Sequence, residues 1–211
     1  MADLQRTDDW FSDRLGKVTA SAVAKVMAKL KSGAPSADRS NYHAQLVTER
    51  LTGKPTETFT NAAMQRGIDL EPQARAMYSF ATGHDVEEVG FVPHPTIAMA
   101  GASPDGLCGD DGLCEIKCCG PARHIEMLTG SEPEDRYLKQ IQFQMACTGR
   151  DWCDLAYFSP DFPEEMQLVV RRFDRDPALI ETMEAEIIAF LGEVDATVAD
   201  LHARYLQREA A

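Results

Sequence analysis

Ser103-Pro104-Asp105-Gly106, followed by Glu115-Ile116-Lys117, is the stretch whose reading decides the fold. An aspartate closes one apolar run, and a Glu-x-Lys sits inside the next. The spacing predicts a hairpin in which one strand ends near Asp105, Gly106 to Gly112 turns, and Leu113 to Cys118 returns. Side chains alternate along a strand, so Glu115 and Lys117 share one face, and Cys114, Ile116 and Cys118 share the other. Two carboxylates and a lysine on one sheet face are costly as a core. They make sense around a hard divalent cation with oxygen ligands.

Working outward, the chain reads as helices, a cluster of strands, a helix, two strands and a last helix. Thr19 or Ser21 is expected to cap a helix through Val23, Val26, Met27 and Leu30, which frays into a mobile loop over 31–36. Tyr42 to Leu51 reads as a second helix, stopped at Gly53. A third runs from Met64 or Gly67 to Thr82, with Leu70, Ala74, Met77, Tyr78 and Ala81 as its apolar stripe. Strands are expected at 86–92 and 97–102 around Pro93-His94-Pro95, then the hairpin, a helix over 137–147, and strands at 153–158 and 165–173. Pro177 opens the last helix, whose stripe is Ile180, Met183, Ile187, Leu191, Val194, Val198, Leu201 and Tyr205. This order predicts an α/β domain with a mixed sheet flanked by helices.

At 211 residues one domain is expected, spanning 1–211: N-terminal helices over 10–82, a sheet core over 86–173 and a C-terminal helix over 177–207. Hydrophobic residues make up 44% and charged residues 26%, so disorder and collagen-like repeats are excluded. No apolar run approaches the ~20 residues of a membrane span. The N-terminal residues 1–9 are too polar for a secretion signal, and a cytoplasmic protein without membrane partners is expected. Cys108, Cys114, Cys118, Cys119, Cys147 and Cys153 form no CxxC pair and read as reduced, packed thiols, with a zinc or iron–sulfur site as the lesser alternative. His43, His84, His94, His124 and His202 show no ligand spacing.

The net charge of −13 alone argues against a nucleic-acid binder. Its distribution is uneven, however. Arg14, Lys17, Lys25, Lys29, Lys31, Arg39 and Arg50 crowd the N-terminal quarter, while the C-terminal third is acidic. A basic face with a cation-filled site can serve DNA while acidic residues face outward.

Metal-assisted phosphodiester hydrolysis needs a cation on the scissile phosphate, an activated water and a stabilised leaving oxygen, often through a second ion about 3.5–4 Å from the first. Asp105 and Glu115, with the backbone carbonyl of Ile116, can supply oxygen ligands. Lys117 can orient the attacking water, or take its proton if a cation depresses its pKa. The bland alternative is a surface hairpin with a Glu–Lys pair on its wet side. Glu71, four residues before Arg75 on a helix, reads either as a salt bridge or as a further carboxylate leaning over the metal site. Arg14, ahead of a capped helix start at Ser21, can form an anion site or be an ordinary surface residue. Gln140 and Gln144 lie one helical turn apart, and Gln140 can bond a phosphate or the attacking water; a plain polar helix face competes with that reading. Met64 stands in a loop-like, exposed stretch.

Five segments then occur together: Trp10-Phe11-Ser12-Asp13-Arg14-Leu15-Gly16-Lys17-Val18-Thr19-Ala20-Ser21, Arg66-Gly67-Ile68-Asp69-Leu70-Glu71-Pro72-Gln73-Ala74-Arg75, Gly101-Ala102-Ser103-Pro104-Asp105-Gly106-Leu107, Leu113-Cys114-Glu115-Ile116-Lys117-Cys118 and Tyr137-Leu138-Lys139-Gln140-Ile141-Gln142. In this order they resemble the lambda exonuclease-like, YqaJ-type viral recombinase family of PD-(D/E)xK nucleases, from about Trp10 to Phe158. The resemblance implies a restriction-endonuclease-like core. It also implies metal ligands at Asp105, Glu115, the Ile116 carbonyl and Glu71, with Lys117 as the catalytic lysine. Arg14, Ser21, Ser103 and Gln140 fall where the family binds a terminal 5′-phosphate. Lys31 falls where a basic residue reaches the duplex, and Met64 where an apolar side chain wedges apart the last base pair.

The implied activity is magnesium-dependent 5′→3′ degradation of one strand of linear double-stranded DNA to mononucleotides, leaving 3′ tails for strand annealing. Two Mg²⁺ ions are implied, with Mn²⁺ as a substitute. A homotrimeric ring and a single-strand annealing protein are the implied partners, in a phage-type recombination setting. The rivals are an endonuclease or single-strand exonuclease of the same fold, and a non-catalytic DNA-binding recombination module.

Overall fold

The structure, a computed structural model, describes residues 4–56 and 61–206. The expected domain limits 1–3 and 207–211, with the last helical position Gln207, lie outside them. The helices are α1 (Asp8–Arg14), α2 (Val23–Val26), α3 (Ala37–Thr52), α4 (Ala62–Thr82), α5 (Pro121–Leu128), α6 (Asp135–Thr148) and α7 (Pro177–Tyr205). The strands are β1 (Val18–Thr19), β2 (Val86–Glu87), β3 (Val92–Pro93), β4 (Ala100–Ala102), β5 (Gly106–Cys108), β6 (Gly112–Cys118), β7 (Trp152–Phe158) and β8 (Leu168–Asp174).

They build two mixed sheets. The larger has the order β2-β5-β6-β7-β8, and the smaller β1-β4-β3. β6 and β7 run parallel, with Glu115 opposite Leu155 and Lys117 opposite Tyr157; the other pairs of the large sheet are antiparallel. On one face Cys114, Ile116, Ala156 and Phe158 pack against Ala74 and Tyr78 of α4. On the other, Leu113, Leu155 and Tyr157 pack against Met127 of α5 and Ile141 and Met145 of α6. The small sheet shares a third core with α2, α3, α6 and α7. The expected α/β core, a mixed sheet flanked by helices, is therefore the observed one.

Local chemistry sets the helix ends. Ser36 accepts from the Arg39 amide at the start of α3, Asn61 from the Met64 amide at the start of α4, and Asp176 from Ala178 and Leu179 at the start of α7. Gly53 and Gly83 end α3 and α4 at φ 65° and 75°, a left-handed backbone that suits glycine.

Several expectations need correction. Asp105 does not end a strand. It sits in the joint where the chain leaves β4 in the small sheet and enters β5 in the large one. Gly106 opens β5 because a Cβ there would stand 2.1 Å from Val86 Cγ1. The helix expected to reach Leu30 is a 3₁₀ turn over Ala20–Ala22 followed by the single turn of α2, and Thr19 makes no side-chain cap. The segment after it folds back on itself through a Lys29–Pro35 bridge. The strand expected over 86–92 is two short strands, and Pro93 lies in β3 rather than in a turn. α5 was not anticipated, although Pro121 at its first position is a helix-start signal. Met64 lies in the first turn of α4, not in a loop, and is 50% exposed. In α7, Phe190 is buried while Tyr205 is exposed.

The basic N-terminal quarter is also not one open face. Lys29 pairs with Glu186, Arg39 with Glu193 and Arg50 with Asp195, so α7 neutralises three of its cations. Part of the charge asymmetry in the sequence is spent on packing α7 against α2 and α3.

Candidate active site

β6 carries Glu115 and Lys117 toward α6, as the alternation requires, while the joint before β5 brings Asp105 alongside. The Ile116 amide donates to Asp105 Oδ2 at 2.7 Å, which fixes the aspartate beside the strand. Glu115, 3% exposed, is held by three donors: Lys117 Nζ at 2.6 Å and Gln140 Nε2 at 2.7 Å on Oε1, and Gln144 Nε2 at 2.6 Å on Oε2. Lys117 also donates to Gln140 Oε1 at 3.3 Å and lies over the Tyr137 ring.

The glutamines explain an unusual helix. From Gln140 to Cys147 every residue of α6 is buried. Buried amides need partners. Gln140 and Gln144 donate to Glu115, with Gln144 Oε1 left without a partner among the described residues, and Gln142 turns the other way to the Asp174 carbonyl and the Asp176 amide. Gln144 was not singled out as a site residue, yet its place one turn from Gln140 is the signal that points to it.

Burial pushes the Asp105 carboxyl well above its ordinary range, and the charges of Glu115 and Glu71 push the same way. Burial alone would lower the Lys117 ammonium, but Glu115 and Asp105 outweigh it and the net shift is upward. The two carboxylates thus favour the charged ammonium. Asp105, Glu115 and Glu71 line one cavity with Ile116 and offer oxygen ligands there. A buried carboxylate whose proton affinity is raised by a neighbouring one fits a hard divalent cation. Among the described residues no three His, Cys, Asp or Glu side chains stand together as a ready-made metal cage.

Glu71 shows why. It lines the same cavity, but Arg6 holds its Oε2 at 2.6 Å and Arg75 its Oε1 at 2.8 Å. Both readings of Glu71 thus have a structural basis, since it stands by the site and is salt-bridged. Arg6 was not anticipated.

Two cavities meet at these carboxylates. The larger, about 640 Å³, is lined by Arg6, Met64, Glu71, Asp105, Glu115, Ile116, Lys117 and Tyr137 among others. The smaller, about 100 Å³, is lined by Gln5, Trp10, Arg14, Ala20, Ser21, Ser103, Gln140 and Gln144, and it shares Asp105 and Glu115 with the first. All four residues expected at a phosphate, Arg14, Ser21, Ser103 and Gln140, line this one small pocket. Ser103 Oγ accepts from Arg14 at 3.1 Å and from Trp10 Nε1 at 3.0 Å, and the Arg14 guanidinium lies 4.0 Å from the Trp10 ring centre. Burial pulls Arg14 down to about 10, with Tyr42 and Glu49 opposing, so it stays fully charged at neutral pH. A third hollow of about 440 Å³ continues outward past Arg14, Lys17, Lys25 and Met64. Lys31 lines none of the three; it is exposed at the tip of the Leu30–Ala34 turn.

The sequence profile of the YqaJ-like viral recombinase domain matches residues 9–151, more than half of the chain. The chain belongs to that family. An alkaline exonuclease from Laribacter hongkongensis is 51% identical, with TM-score 0.86 over 97% of this chain and 98% of its own. The same exonuclease in complex with dAMP superposes with TM-score 0.88 at 51% identity, over 95% and 99% of the two chains. A phage-related exonuclease from Haemophilus somnus, 15% identical, shares the fold with TM-score 0.70 over 88% and 96%. An uncharacterized protein of Acanthamoeba polyphaga mimivirus is 26% identical over 165 residues, 71% of this chain. The chain spans 28% of the length of that curated relative. This kinship supports a nuclease activity and the PD-(D/E)xK fold type. No described helix is long and apolar enough to cross a membrane.

Proposed function

We propose that the protein is a magnesium-dependent 5′→3′ exonuclease that degrades one strand of linear double-stranded DNA to mononucleotides and leaves 3′ tails for recombination by strand annealing. One observation carries this reading: the small pocket of Arg14, Ser21, Ser103 and Gln140 opens onto Asp105 and Glu115 themselves. A terminal phosphate seated there brings the next phosphodiester to the carboxylates, so that one nucleotide is released per cut. The dAMP bound by the Laribacter enzyme is a product of the same class.

In this reading Asp105, Glu115 and the Ile116 carbonyl, with Glu71, would hold the metal. Bound there, Mg²⁺ or Mn²⁺ supplies Lewis-acid stabilisation of the charge that develops on the scissile phosphate. Lys117 orients the attacking water and stabilises negative charge, in keeping with its raised pKa. Gln140 keeps Glu115 and Lys117 in register, and Gln144 fixes the second oxygen of Glu115. Arg14 and the Ser103 and Ser21 hydroxyls bind the 5′-phosphate. Met64, exposed where it lines the larger cavity and the outer hollow, parts the terminal base pair, and Lys17 and Lys25 line the approach. Lys31 reaches the duplex from its turn. The chain acts as one exonuclease domain in the cytoplasm, as a homotrimeric ring with a single-strand annealing protein as partner.

The test is digestion of linear duplexes labelled at either end, with 5′-phosphate or 5′-hydroxyl termini and a covalently closed circle alongside. Mononucleotides from the 5′-phosphorylated strand, an intact circle and complete arrest by EDTA are expected. Cuts in the circle would move the protein to an endonuclease, and no cleavage with either Mg²⁺ or Mn²⁺ would make it a binding module.

A further inference from the structure

The chain ahead of α1 forms a strap across the mouth of the site. Gln5 Nε2 donates to the Val89 carbonyl at 3.0 Å and to the Pro104 carbonyl, next to Asp105, at 2.8 Å. Arg6 follows in the left-handed region at φ 65°, alone among the described non-glycine residues. Such a backbone is strained, and it persists where surrounding contacts impose it. One such contact is the ion pair with Glu71. Of the two arginines on Glu71, Arg75 is anchored a second time by Glu88 at 2.8 Å, on the helix side. Arg6 comes from the strap and lines the cavity with Asp105 and Glu115. While both arginines are in place, each Glu71 oxygen is engaged, and the cavity offers a cation two carboxylates rather than three.

We infer that Arg6 is a positioning residue of the cleavage site, a built-in counter-ion that holds Glu71 and competes with a divalent cation for it. The inference rests on the metal-site reading of Asp105 and Glu115. It would make the strap responsive to the cation: a cation that draws Glu71 away would break this ion pair and loosen one constraint on the strained turn.

The test is calorimetric titration of Mn²⁺ into the full-length protein without DNA. Arg6→Gln should bind Mn²⁺ roughly tenfold more tightly than the wild type, since a charge-assisted bond to Glu71 no longer has to be broken. Asp105→Asn should lose the binding. Unchanged or weaker binding in Arg6→Gln, with Asp105-dependent binding in the wild type, overturns the inference and leaves the metal site standing. Absence of Asp105-dependent binding in the wild type overturns both. A second measurement needs no variant of Arg6: tryptic cleavage after Arg6 should quicken on Mn²⁺ addition in the wild type and not in Asp105→Asn. Equal rates with and without Mn²⁺ in the wild type overturn the inference.

Discussion

Gln140 and Glu115 are joined across the site: Gln140 Nε2 donates to Glu115 Oε1 at 2.7 Å, while Gln140 Oε1 accepts from Lys117 at 3.3 Å. One amide from α6 thus sets the spacing of the carboxylate and the lysine on β6, and it does so from the wall of the small pocket. Gln140→Leu keeps the volume but removes both bonds. Leaving a buried carboxylate one donor short costs about 1–3 kcal/mol. The expected outcome is a lower midpoint in urea and a turnover reduced by one to two orders of magnitude. Denaturation curves and single-turnover digestion check it; wild-type turnover would show that the amide only packs.

Lys117→Met should cut far more slowly, by about two to three orders of magnitude, the usual range for losing a preorganised charge-stabilising donor. DNA binding should persist, because the Arg14 pocket is untouched. Filter binding alongside single-turnover cleavage separates the two. Near-normal turnover would remove the lysine from the chemistry.

Arg14→Ala should erase the preference for 5′-phosphorylated over 5′-hydroxyl ends. A hydrogen bond to a charged group contributes about 1.5–3 kcal/mol, so a roughly tenfold to hundredfold preference is at stake. The readout is the ratio of initial rates on the two ends. An equal loss on both ends would reject the pocket as a phosphate reader.

Acid stability should depend on the clasp between α3 and α7. The hydrogen bond from Arg39 holds the Glu193 carboxylate below its ordinary range, against a smaller burial effect that raises it. A lowered folded-state pKa contributes stability that is present above the unfolded value, near 4.5, and is lost as pH falls through the folded value. Glu193 is half exposed, so the contribution is at most about 1 kcal/mol after solvent screening. Glu193→Gln should lower stability at neutral pH and flatten its fall below about pH 4.5. Urea midpoints between pH 3 and pH 7 test this, and parallel curves for the two proteins would count against it.

Much of the site was legible because strands and helices have fixed periods. Alternation on β6 separates Glu115 and Lys117 from Cys114 and Ile116, and the helical turn brings Gln140 and Gln144 to one side. Helix ends were legible where Gly53, Gly83 and Pro177 mark them. The short strands were not, because β2 and β3 hold two residues each and their pairing comes from partners distant in the chain. α5 escaped because its apolar face is brief and only Met127 and His124 are buried.

What the amino-acid sequence determined by itself, then, is the chemistry available: which carboxylates, which lysine and which arginine lie on which face of their own element, since that follows from covalent spacing. What only the tertiary structure decided is who meets whom. It put Asp105 at the joint between two sheets, set the N-terminal Arg6 against Glu71, and drew Lys29, Arg39 and Arg50 onto α7 rather than leaving them for a partner. These pairings join residues far apart along the chain, and no local period encodes them; they exist because burying charge requires a counter-charge, wherever in the chain it comes from.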